Sequence, residues 1–140
     1  MIVTLGVLAD SSNISREGKL NILGIFDIIF ARSFPLVHSS MQLVMRLEAP
    51  YSEVGTQQNI RVRLLNADGT QILEVAGTVG LAGGTPGEDI ISNHILNLNN
   101  VVFPTSGRYA FHILINDTER QTVPLKIIQI QSQPPAQQQR

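Results

Sequence analysis

Residues 60–64 read Ile60-Arg61-Val62-Arg63-Leu64, two cations set between three apolar side chains. Only an extended strand, whose side chains point to opposite faces in turn, sends both arginines to water and keeps the other three together. The same period of two runs through Met41, Leu43, Met45 and Leu47 against Gln42, Val44, Arg46 and Glu48. It returns in Tyr109, Phe111, Ile113 and Ile115 against Arg108, Ala110, His112 and Leu114. Further strands are expected over Ile2–Ala9, Leu20–Phe30, Gln71–Leu81, His94–Leu98, Val101–Phe103 and Val123–Ile130. Asn66-Ala67-Asp68-Gly69 and Asn116-Asp117-Thr118-Glu119 are turn sequences that close hairpins. Gly24 and Asp27 should bend or end the second run, and Pro124 should start the last strand at a sheet edge or bulge. The segment Ala31–Ser40 has room for one helical turn at most.

These signals predict an all-β fold, an antiparallel two-sheet sandwich of seven to eight strands, with a small closed barrel as the alternative. A single sheet would leave apolar outer positions such as Val44 and Leu114 uncovered. The 140 residues suffice for one domain that buries about two-thirds of its surface without staples. The expected division is a β-domain over 1–131 and a disordered Gln- and Pro-rich tail over 132–140, able to act as a tether.

Gly107-Arg108-Tyr109 resembles the late strand of immunoglobulin-like and fibronectin-like domains, in which a tyrosine hydroxyl closes a corner. The runs Leu8-Ala9-Asp10, Gly18 to Asp27 and Phe103-Pro104 to Tyr109 resemble a small bacterial domain family that is uncharacterised. That resemblance implies a compact β-rich domain and carries over no catalytic or binding residue.

The chemistry-bearing residues are sparse. Zero cysteines exclude thiolate nucleophiles, disulfides and Cys-ligated zinc. His38, His94 and His112 lie far apart in sequence without ligand-pair spacing, so no metal is expected. Ser11, Ser12, Ser39 and Ser40 lie outside any Gly-x-Ser-x-Gly elbow. Asp27, inside an apolar run, must be paired or sit where the strand breaks, with Arg32 or Lys19 as partner. Ala82-Gly83-Gly84-Thr85-Pro86-Gly87-Glu88, followed by Asp89, lacks the Lys-Ser or Lys-Thr ending of a phosphate loop and reads as a hairpin loop.

Ten basic residues balance eleven acidic ones, which removes the broad cationic surface of nucleic-acid binders. Arg61 and Arg63, joined by Arg46, form the best basic patch, and it is small. No apolar run reaches the roughly 18–20 residues of a membrane span, so a cytoplasmic location is expected. With no tryptophan and only Tyr51 and Tyr109 as tyrosines, a carbohydrate platform is not expected either.

Protein contact remains. The apolar segment Ile28–Val37 should form either a satellite core or an interface with Phe30, Phe34 and Leu36 as anchors beside Arg32. Unprotected strand edges give a second route. The reading is a non-enzymatic structural or protein-interaction domain, able to self-associate, that needs no cofactor. A small-molecule-binding sandwich or barrel is the alternative, and an unrecognised hydrolase comes after it.

Overall fold

The computed structural model describes residues 1–131, so the tail Ser132–Arg140, expected to be a disordered tether, lies outside the described residues. Nine strands are described: β1 (Ile2–Ile14), β2 (Leu20–Phe26), β3 (Ile28–Ala31), β4 (Leu36–Ala49), β5 (Gln57–Asn66), β6 (Gln71–Gly80), β7 (Ile90–Phe103), β8 (Gly107–Ile115) and β9 (Thr118–Gln129). One 3-10 turn, Tyr51–Glu53, follows β4. The strands form two sheets, ordered β2-β1-β4-β7 and β3-β9-β8-β5-β6.

This corrects the expected fully antiparallel arrangement of seven to eight strands. The run Leu20–Phe30 breaks at Asp27, and its two pieces join different sheets. The second piece, β3, lies parallel to β9, with Ile28 beside Lys126 and Ala31 beside Gln129. The Lys126 N–H donates to the Asp27 carbonyl at 2.8 Å, and the Ile130 N–H to the Ala31 carbonyl at 2.9 Å, which pins both ends of this short pairing. Side-chain alternation marks a strand but carries no information about its direction.

Further boundaries differ: β1 runs on past Ala9 to Ile14, and β9 starts at Thr118, so Pro124 lies within that strand and not at its start. The expected strands His94–Leu98 and Val101–Phe103 are one continuous β7, and β4 begins at Leu36. Asn100 adopts φ 55°, a left-handed value that asparagine tolerates better than most residues. Its site lies across from Ser39, between the pairs His38–Val101 and Ser40–Asn99. Val101 and Phe103 are buried on one side of this kink, Met41, Leu43 and Leu98 on the other. The kink therefore re-phases both strands together, so their apolar faces stay on the core without a shift in register.

One hydrophobic cluster draws on both sheets. Leu8, Leu43 and Leu47 come from the first and Leu64, Phe111 and Leu125 from the second. Ala49, Leu81 and Ile90 form a smaller cluster where the loop between β6 and β7 returns. Tyr109 is buried, its ring meets Phe103 edge-on at 5.0 Å, and its hydroxyl donates to the Thr105 carbonyl at 2.7 Å. The expected corner is present.

The β8–β9 turn places Asn116 at φ 50° and Asp117 at φ 67°, the pair of left-handed residues that a two-residue type I′ turn demands. The Asn116 side chain also accepts from the Asn59 N–H at 2.9 Å and donates to Oε1 of the buried Gln58 side chain at 2.6 Å. Asn116→Ala removes both bonds and leaves the left-handed backbone to a less tolerant residue. A loss of about 1–2 kcal/mol is expected, read as a lower urea midpoint with an unchanged slope.

Candidate functional site

On one side of the molecule each sheet ends in a strand whose outer edge is free among the described residues, β7 in the first and β6 in the second. The gap between them is a groove of about 190 Å³. Met45, Ile60 and Val62 form its floor, and Val75, Val79 and Leu96 its walls; none of its lining residues is charged. The β7 edge has no Lys, Arg, Asp, Glu or Pro in its fourteen residues. On β6, the Glu74 carboxylate accepts from Arg63 Nε at 2.8 Å and lies 3.5 Å from Arg61 Nε. Both arginines face outward, as their alternation requires, and Arg61 also reaches Asp117 at 3.2 Å.

His94 is the one titratable group on the groove wall. Its Nε2 lies 2.6 Å from Ser92 Oγ, and burial lowers its pKa below the ordinary 6.5. The folded chain thus resists a proton that the unfolded chain accepts. Its contribution to stability is full above about pH 6.5 and falls as pH drops from there through the lowered folded value. The urea midpoint should fall between neutral pH and about pH 5, and fall less in His94→Gln. An equal fall in both proteins would contradict this role.

The remaining candidates scatter. His38 and His94 lie on β4 and β7 of one sheet and His112 on β8 of the other, beside Glu119 at 2.5 Å. No group of three potential metal ligands occurs among the described residues. His38 faces the Phe26 ring at 6.2 Å while Ser39 is exposed, so that sequence adjacency brings no dyad. Ser12 bonds to Gln42, whose amide donates to Asn97 at 2.8 Å, a polar ladder across the first sheet. Asp10 stands against Gly24, which at φ 74° has no Cβ to obstruct it. Arg46, expected beside Arg61 and Arg63, is on the other sheet, next to Asn93.

Asp27 is exposed at the chain's crossing between sheets and borders a depression of about 450 Å³ with Arg108 and Lys126. Lys19, one expected partner, pairs instead with Glu17 at 3.4 Å. The loop Ala82–Asp89 is exposed, contains a turn closed from the Glu88 N–H to the Thr85 carbonyl at 3.0 Å, and leads into a strand.

Of the interface candidates, Phe34 and Leu36 pack against the main core, whereas Phe30 is 60% exposed and Arg32 is exposed. The segment thus divides between a satellite core and surface. The sequence reading missed Val75, Val79, Ile91, His94 and Leu96 as one side of the molecule. Its available signal was the uncharged, proline-free stretch from Ile90 to Phe103, which the Asn99-Asn100 pair disguised as two strands.

No curated protein matches the chain. The expected resemblance to an uncharacterised β-rich family has a counterpart: residues 4–128 match the family described as a family of unknown function, DUF6941, and the chain belongs to that family.

Proposed function

We propose that this protein is a non-enzymatic protein-interaction domain that works through free strand edges, built as an immunoglobulin-like sandwich. The Tyr109 corner bond to Thr105 supports the sandwich reading. The observation that carries the function is the pair of free edges, β6 and β7, flanking a groove with no charged lining residue. Such edges offer unpaired N–H and C=O groups to a further strand, and the groove offers it an apolar seat. At about 190 Å³ the groove is below the roughly 300–1,000 Å³ usual for small-molecule sites, which disfavours a small-molecule ligand in this groove. The cations Arg61 and Arg63 are engaged by Glu74 and Asp117, which disfavours an anionic partner there.

Affinity capture of the tagged protein from an extract of its source at low salt, read by native mass spectrometry, tests this. A stoichiometric protein complex or a defined oligomer is expected. A bare monomer, or a monomer carrying a small molecule, contradicts it.

A further inference from the structure

We propose that the β7 edge pairs antiparallel with the β7 edge of a second copy across a two-fold axis, fusing the two four-stranded sheets edge to edge. This rests on the interaction reading above and names its partner. The stretch Ile90–Asn99 precedes the Asn100 kink, and among the described residues no strand pairs with its outer edge. Edge strands in natural proteins are blunted by brevity, charge, proline or bulges. The other edges follow that rule: β3 has four residues, β2 has seven with Gly24 left-handed, and β6 carries Glu74 and two glycines. The ten residues Ile90–Asn99 have none of these devices.

A second copy fits this edge for a reason of symmetry. A two-fold axis sets each residue against another from the same stretch, so charges of one sign would repel across it. Here there is none to repel. An axis perpendicular to the sheet keeps like faces together, so Ile91 and Ile95 meet Asn93 and Asn97 of the mate or their own counterparts. On the other face, His94 and Leu96 of each copy come to the mouth of the other's groove. Ten paired residues make about ten backbone hydrogen bonds, the number a typical protein interface carries.

Sedimentation equilibrium of the full chain tests the pairing. Ile91 and Asn97 are exposed, so Ile91→Lys/Asn97→Lys and Ile91→Glu/Asn97→Glu should keep the far-ultraviolet circular dichroism of the wild type. Asn97 also accepts from Gln42, so Ile91→Lys alone serves as the variant that leaves this bond intact. The wild type should sediment as a dimer, and each charged variant should dimerise at least about tenfold more weakly. An equimolar mixture of the Lys and Glu double variants should regain the dimer. A wild type that stays monomeric at submillimolar concentration overturns the pairing, as does a folded Lys variant that dimerises like wild type or a mixture that stays monomeric. A stoichiometric complex with a different protein in the capture experiment would then leave the interaction reading standing without this one.

Discussion

Phe111→Ala should cost about 3–5 kcal/mol and leave the domain at the edge of folding at room temperature. Phe111 is fully buried at the middle of β8, between Leu64 on β5 and Val123 on β9. Both neighbours belong to the same cluster that spans the two sheets, so truncation opens a cavity where the sheets meet. Domains have only about 5–15 kcal/mol in total, so such a loss consumes at least about a fifth of it and, in a marginal domain, nearly all. Phe30→Ala is the control. That ring is 60% exposed on the same sheet, and its removal should change stability by no more than about 0.5 kcal/mol. Urea denaturation at matched slopes separates the two. Equal losses would mean that the core is not where the fold puts it.

Gly6→Leu should cost about 2–3 kcal/mol through the opposite defect. Gly6 lies on β1 beside Met45, and a Cβ there would stand 3.2 Å from Val123 Cγ2, 3.3 Å from Gln121 Cγ and 3.5 Å from Ile113 Cδ1. Those atoms belong to β8 and β9 of the facing sheet, so this glycine marks a close approach between the sheets. Alanine needs shifts of a few tenths of an ångström in two side chains, at Val123 Cγ2 and Gln121 Cγ. Leucine adds three more carbons to a space already filled, and the sheets must part or the side chains leave their rotamers. A drop in melting temperature of roughly 5–15 °C is expected for leucine and only a few degrees for alanine, read by calorimetry. A leucine variant as stable as wild type would contradict the packing described.

Much of the fold was legible because alternation is a local property. Arg61 and Arg63 could face only water, and Tyr109 to Ile115 could bury only one side; the strands β5 and β8 follow. What alternation cannot express is direction and partner, and so β3 went unrecognised as a parallel neighbour of β9. Asn99-Asn100 illustrates a second limit. Two turn-forming residues in succession signal a break, yet in β7 one left-handed asparagine opposite Ser39 re-phases the strand while the backbone pairing runs on. The site was less legible still. Phe34 and Leu36 are as apolar as any anchor, but only the crossing of the chain between sheets decides that they pack inward while Phe30 does not. The groove depends on β6 and β7 ending their sheets on the same side, a relation between residues about twenty apart that no local pattern encodes.

Amide hydrogen exchange as a function of protein concentration tests most directly whether the β7 edge is the working surface. From low micromolar to submillimolar protein, amides within Ile90–Asn99 whose N–H groups point away from β4 should become progressively protected, while those of β2 and β3 should not change. Exchange at β7 that is indifferent to concentration, or protection that grows on β2 or β3 instead, would contradict the account.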